Sequence, residues 1–302
     1  MIVNVSKLNR LNKGGSCVKN VDLKEYTTFK LGGKAKYMVT ISTIEGLIKV
    51  MDYISARNID YFILGAGSNL LISDNGYNGI VIKLAGDFAR FEQTEDGLVS
   101  VGGGMRIAKA YAICKDLGQS GLEVLATIPA TIGGAVYMNA GAFGEQISDH
   151  IEYVTALVDG KIKYFCHDDC HFGYRSSVFQ NLRAIILRVG FSFENGSKEK
   201  IELAFKEALQ KKRALQPLEY PSAGSVFKRI DGLNVSKMLD DMGIKGMRVG
   251  GVMVSYKHAN FILNLGGTAK DVYLLIHKIK KMFKDKYDIN LETEIKFLGE
   301  FE

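Results

Sequence analysis

The segment Tyr220-Pro221-Ser222-Ala223-Gly224-Ser225-Val226-Phe227-Lys228 concentrates the residue types that a small reactive site needs. It holds one of only three prolines in 302 residues, and Pro221 fixes the angle at which the backbone enters. Ala223 and Gly224 leave little side-chain bulk, so a ligand can lie against the main chain. Ser225 then presents a hydroxyl, and Lys228 supplies a compact positive charge for an anion. Val226 and Phe227 read as the restart of an apolar strand. A tight turn entering a buried strand accounts for the same residues without any ligand.

Two glycine-rich loops keep that segment company. Tyr61-Phe62-Ile63-Leu64 runs into Gly65-Ala66-Gly67-Ser68-Asn69. A dinucleotide-fold turn would need a third glycine and a following helix. Here Leu70 follows Asn69, and Leu70-Leu71-Ile72-Ser73-Asp74 reads as a strand. Such a loop between strands still aims successive backbone N–H groups at one anion, although a plain turn explains it as well. The second loop is Ile128-Pro129-Ala130-Thr131-Ile132-Gly133-Gly134-Ala135, followed by Asn139-Ala140-Gly141-Ala142-Phe143-Gly144. Its proline, hydroxyl and paired glycines suit a backbone laid along a ligand. Together the loops favour a dinucleotide with a pyrophosphate.

The same residues, with others in order along the chain, resemble the UDP-N-acetylenolpyruvoylglucosamine reductases of peptidoglycan synthesis. The resemblance covers Thr27-Thr28-Phe29-Lys30-Leu31-Gly32-Gly33-Lys34-Ala35, Gly65 to Asn69, and Gly121-Leu122-Glu123 through Gly144. It continues with Phe172-Gly173-Tyr174-Arg175-Ser176-Ser177-Val178-Phe179, Gln216 to Lys228, Val254-Ser255-Tyr256-Lys257-His258 and Leu291-Glu292-Thr293-Glu294-Ile295. The short loop before Tyr174-Arg175 and the Tyr-Lys-His run resemble the shorter, second type within that family.

The resemblance implies an α+β protein: a two-subdomain FAD-binding domain of the vanillyl-alcohol-oxidase (PCMH) type, then a C-terminal α+β substrate domain. It implies tight, non-covalent FAD, with NADPH as hydride donor. The UDP-sugar substrate gains a hydride on its enolpyruvyl double bond to give UDP-N-acetylmuramate. Hydride addition builds negative charge on the neighbouring carbon and its carboxylate, so the site needs an enolate stabiliser and a proton donor. By resemblance Ser225 is the proton donor, Arg175 the cationic stabiliser, and Glu294 a carboxyl that shares the enolate or proton handling. Cofactor contacts are expected from Gly65, Ala66, Gly67, Ser68, Asn69 and Leu70, and from Pro129, Ala130, Thr131, Ile132, Gly133, Gly134, Asn139 and Gly141. Substrate contacts are expected from Tyr174, Lys228 and His258. Apart from the resemblance, Arg175 reads as a surface arginine at a strand start, and Glu294 as one of a solvated pair with Glu292.

Three features pull against a simple transfer. The family usually carries glycine where this chain has Thr127 and Ala130, which would place side chains beside the pyrophosphate or flavin edge. Met253, Tyr256 and Asn260 also replace common family residues around Lys257-His258. Cys166-His167-Asp168-Asp169-Cys170-His171 imitates a metal site, but C-x3-C with adjacent histidines is not a common zinc spacing and no second ligand pair appears, so no metal is expected. A different flavin oxidoreductase and a non-catalytic UDP-sugar-binding protein stand as alternatives; the pairing of Ser225 with Glu294 argues against the first.

The elements that must position these residues follow from pattern. Composition is that of an ordinary globular protein, 47% hydrophobic and 24% charged, and the length implies more than one packed unit. Helices are expected at 44–57, 107–117, 200–215 and 269–287, the last capped by Thr268, and strands at 37–41, 61–64, 98–101, 153–158 and 184–191. Domains are expected at 1–195 for FAD (subdomains about 1–85 and 86–195) and 196–302 for substrate, with the last strand carrying Glu294. The net charge of +6 suits an enzyme of phosphorylated ligands, and no basic–aromatic interleaving points to nucleic acid. No apolar run of membrane length and no export signal occur, so a cytoplasmic monomer with four reduced cysteines is expected.

Overall fold

A computed structural model describes residues 3–94 and 97–301. The fold is mixed α and β, in two compact units between which the chain passes several times. One unit takes the chain up to Lys19, Tyr37–Ala66 and Gly79–Lys211; the other takes Asn20–Lys36, Gly67–Asn78 and the chain from Lys212 onward. These units divide the chain differently from a single boundary at 195/196, because two N-terminal segments join the C-terminal part.

The first unit is built on two sheets. In one, Tyr61–Ile63 lies parallel to Tyr77–Leu84, which pairs with Lys34–Ile41 and then Ser16–Asp22. Its core combines Val39, Ile41, Ile80 and Ile82 with Leu47, Val50 and Ile54 of the helix Ile44–Ser55. The other sheet is antiparallel, ordered Lys161–Cys166, Ile151–Val158, Ala184–Phe191, Val99–Gly102, Phe91–Gln93. Ala184–Phe191 is nearly all apolar because both of its faces are covered. Ile185 and Leu187 enter the first core, whereas Ile186, Val189 and Phe191 enter a second with the helices Ile107–Asp116 and Ile132–Met138. Strict alternation would put Leu187 and Val189 on one face. A register shift, at which Thr155 pairs with Arg188 and Ala156 with Ile186, leaves Leu187 unpaired and reverses the parity. On the opposite edge of the strand the Leu187 carbonyl accepts a hydrogen bond from the Gly103 N–H at 2.8 Å, next to the Arg188–Gly102 pair.

The second unit packs Phe29, Leu31 and Leu71 with Phe227, Leu239, Ile276 and Phe283. Leu70–Ile72 runs parallel to Lys296–Leu298, and a small antiparallel sheet joins Arg248–Val249, Val252–Val254 and Ile262–Asn264. The long helix Ala269–Tyr287 begins where the sequence places it. Thr268 and Asp271 form a reciprocal cap, and the Asp74 carboxylate accepts from the Ala269 and Lys270 N–H groups at 3.0 and 2.9 Å.

Two sequence expectations change here. Val226 and Phe227 do not restart a strand; Phe227 makes only an isolated bridge to Thr293. Glu294 precedes the last strand, Lys296–Leu298, instead of lying in it. Both segments spend their backbone hydrogen bonds on each other and on an asparagine side chain, so neither extends into a ladder. Asp74 is the link from the strand Leu70–Ile72 to the long helix, and Asp74→Ala is expected to destabilise the protein by about 1–2 kcal/mol, measured by denaturant unfolding.

Candidate active site

The two glycine loops meet in the first unit. A Cβ placed on Gly65 would stand 2.7 Å from the Thr131 Oγ1 and 3.8 Å from the Gly134 Cα, so only glycine permits this approach. Thr131 caps the helix Ile132–Met138, its Oγ1 accepting from the Gly134 N–H at 3.2 Å. The Gly133 N–H donates to the Gly103 carbonyl at 2.8 Å, which ties the second loop to the glycine turn after Val99–Gly102. Ile132 and Ala130 are buried in the adjoining core. Two cations that the motifs did not single out border the same place. Lys83 Nζ lies 3.5 Å from the Gly65 carbonyl, and Arg106 forms an isolated bridge with Thr131. Burial, and then the Arg106 charge, hold the Lys83 ammonium below its usual pKa.

The remainder of the first loop belongs to the second unit. The Thr28 N–H donates to the Gly67 carbonyl at 3.1 Å, Asn69 Nδ2 donates to the Glu294 carbonyl at 3.0 Å, and the Lys296 N–H donates to the Asn69 carbonyl. Leu70 opens the strand paired with Lys296–Leu298, and the loop between carries Ala66 and Ser68. Thr28 Oγ1, beside this loop, is buried and has no hydrogen-bond partner among the described residues. In the first unit, the bare glycine approach and the two cations fit a polar anionic group such as the FAD diphosphate.

Asn139 organises the third part. It is 1% exposed and left-handed at φ 41°, closing the helix Ile132–Met138. Its Nδ2 donates to the Gly173 carbonyl at 3.0 Å and to Gln146 Oε1, and its Oδ1 accepts from the Ser148 N–H. Gly173-Tyr174-Arg175-Ser176 forms a tight turn closed by reciprocal bonds between Gly173 and Ser176. Arg175 sits in it at φ 52°, a conformation that costs a non-glycine residue of order 1–3 kcal/mol. Its guanidinium donates to the Gly141 carbonyl at 2.7 Å and the Asn139 carbonyl at 3.4 Å, and lies over the Tyr174 ring. Gln180 donates to the Arg175 carbonyl at 2.8 Å and fixes the turn.

The fourth part lies in the second unit. The Val226 N–H donates to the Asn260 carbonyl, the Phe227 N–H to Asn260 Oδ1, and Asn260 Nδ2 to the Phe227 carbonyl. On the other side the Glu294 N–H donates to the Val226 carbonyl and the Lys228 N–H to the Glu292 carbonyl. Ser225 and Glu294 are thus brought to neighbouring backbone. The half-buried Ser225 hydroxyl bonds no described residue. Lys228 does not stand as an isolated point charge: its Nζ pairs with Glu292 Oε2 at 2.9 Å and holds that carboxyl below the usual range. His258 Nδ1 accepts from the Asn260 N–H, and its ring meets Phe261 edge-on. Burial first, and Lys245 second, lower its pKa from 6.5.

Other sequence candidates find structural places. Ala130 packs into the core, and the Thr127 hydroxyl donates to its own turn at the Val124 carbonyl. Asn260, read as a substrate-contact departure, is a buried backbone clamp. Cys166 donates to Asp169, and burial pushes the Cys170 thiol up to about 12. Among the described residues no group of three or more His, Cys, Asp or Glu is placed to hold a metal.

Asn139→Gly keeps the left-handed backbone but orphans the Ser148 N–H and removes one of the two donors to the Gly173 carbonyl, so a loss of about 1–3 kcal/mol in unfolding free energy is expected. For His258 the unfolded chain binds a proton more readily than the folded one. Its contribution is therefore intact above pH 6.5 and is lost as pH falls below that value. His258→Asn, whose oxygen can replace Nδ1, should shrink the fall in Tm between neutral and mildly acidic pH.

Two family models match the chain: an FAD binding domain over residues 35–163, and the C-terminal domain of UDP-N-acetylenolpyruvoylglucosamine reductase over residues 216–298. The chain is 38% identical to the reductase of that name from Carboxydothermus hydrogenoformans over 94% of each chain. It is 40% identical to that from Lachnoclostridium phytofermentans over 93% of this chain and 92% of the other. The crystal structure of the Thermus caldophilus reductase superposes with a TM-score of 0.80 at 35% identity, over 94% of this chain and 99% of that one. The FAD-binding part accordingly has the vanillyl-alcohol-oxidase type of fold. With near-complete coverage in both directions, the chain belongs to the UDP-N-acetylenolpyruvoylglucosamine reductase family of FAD-binding oxidoreductases.

Proposed function

We propose that this protein uses NADPH to reduce UDP-N-acetyl-3-O-enolpyruvylglucosamine to UDP-N-acetylmuramate, as a cytoplasmic step of peptidoglycan precursor synthesis. The observation that carries the reading is the Ser225 hydroxyl. It is held on a backbone clamped by Asn260 and by Glu294, and it bonds no described residue. Residues 1–195 would form the FAD-binding domain and 196–302 the substrate-binding domain.

FAD would be held by Gly65 to Leu70 and by Pro129 to Gly134, with Asn139 and Gly141 beyond, and when bound it supplies hydride transfer from NADPH to the enolpyruvyl terminal carbon. The chain's own residues then handle charge and proton. Arg175, whose planar fork suits a carboxylate, stabilises the negative charge that develops on the neighbouring carbon and its carboxylate. Ser225 donates its hydroxyl proton to the neighbouring carbon. A serine hydroxyl holds its proton tightly, so Glu294 on the adjoining backbone shares the proton handling. The strained turn at Arg175 supports a positioned cation, since a left-handed arginine is kept only where surrounding contacts over-determine it. Tyr174, His258 and Lys228 would contact the UDP-sugar.

The test is a visible spectrum of the purified protein, titrated without air first with NADPH and then with the enolpyruvyl substrate. Bleaching by NADPH and return of colour with substrate is expected. In Ser225→Ala the bleaching should proceed at nearly the wild-type rate while the return slows by about 10²–10⁴-fold. An equal fall in both halves would make Ser225 structural. A protein that takes up no FAD, or bleaches and ignores the substrate, would defeat the assignment. Arg175→Lys should likewise damage the second half most; an unchanged rate would remove Arg175 from the site.

A further inference from the structure

We propose that Lys83 and Arg106 together form the cationic seat of the FAD diphosphate, a role that rests on the FAD reading above. Lys83 lies in the apolar strand Tyr77–Leu84, where a lysine has no packing reason to be. Its Nζ is turned to the Gly65 carbonyl at 3.5 Å, at the mouth of the first glycine loop. The Arg106 backbone reaches the same place. It precedes the helix Ile107–Asp116 and bridges backbone with Thr131, whose Oγ1 would stand 2.7 Å from a Cβ on Gly65.

Lys83 Nζ therefore lies where both loops meet, with the Arg106 backbone beside it. The Arg106 guanidinium is exposed, and no hydrogen bond or ion pair engages it among the described residues. The Arg106 charge is also felt at Lys83, where burial and this like charge together disfavour the ammonium. Two nearby like charges disfavour each other, and a doubly charged anion bound beside them offsets that cost. Lys83, Arg106, Gly65 and Thr131 all fall within the matched FAD binding domain, residues 35–163, which favours the diphosphate of FAD over those of NADPH or the UDP-sugar.

Release of FAD from the holoenzyme, followed by ultrafiltration and the fluorescence of free flavin at rising KCl, tests the idea. Arg106→Gln, on an exposed side chain, is the first variant; Lys83→Gln, Lys83→Arg and the double variant complete the set. Each single loss of charge is expected to weaken FAD about tenfold. Lys83→Arg should restore most of the affinity, and the double variant should lose most of the salt dependence. ADP should displace FAD from the wild type far better than adenosine, and this advantage should vanish in the double variant. Wild-type protein that holds FAD while Arg106→Gln and Lys83→Gln stay within twofold of it overturns the proposal and leaves the enzyme reading intact. So does a rise in KM for NADPH or the UDP-sugar with FAD affinity unchanged. Wild-type protein that never holds FAD overturns the reading on which both rest.

Discussion

The first unit depends on one close approach of backbone to backbone. Gly103 has no side chain, and a Cβ there would stand 2.3 Å from the Ile186 carbonyl. Its N–H donates to the Leu187 carbonyl, and its own carbonyl receives the Gly133 N–H. One residue thus ties the central strand to the second glycine loop. Thr131 and the helix it caps then stand where Gly65 can meet them. The bulge decides which side chains of the strand enter each of its two hydrophobic cores.

The second unit solves a related problem with a side chain. Residues 225–228 have no regular neighbour, yet buried backbone groups must be paired. Asn260 offers a carbonyl, an amide donor and an amide acceptor at once, and so acts as a strand of one residue. This leaves Ser225 rigidly carried with its hydroxyl uncommitted. A true ladder at that place would have fixed alternating side chains on two faces; the clamp fixes the main chain and leaves the face toward Gly224 bare, since a Cβ on that residue would meet nothing within 4 Å.

Local pattern made the helices and long strands legible. The helix at 269–287 and the strand at 184–191 agree with expectation to the residue, because periodicity and capping are written within each segment. Family resemblance supplied Ser225, Arg175 and Glu294 as a set, and the chain's membership of that family is now plain. What the sequence hid was set by distant partners. The loss of strand at Val226 and Phe227 follows from Asn260, Glu292 and Glu294. The left-handed turn at Arg175 follows from Asn139, and nothing in a Gly-Tyr-Arg-Ser string announces it. Lys83 and Arg106 carry no motif, and their common ground exists only once the two glycine loops have met.

The pairing of Leu70–Ile72 with Lys296–Leu298 has a temporal side. Asn69 and Glu294, which flank it, are 225 residues apart in the chain. At ordinary rates of synthesis the early strand therefore emerges roughly 10–45 s before its partner exists. Throughout that interval a short, wholly apolar strand with open hydrogen-bonding groups must be kept from other chains. The open edge of this strand is thus a hazard of synthesis that the finished fold removes.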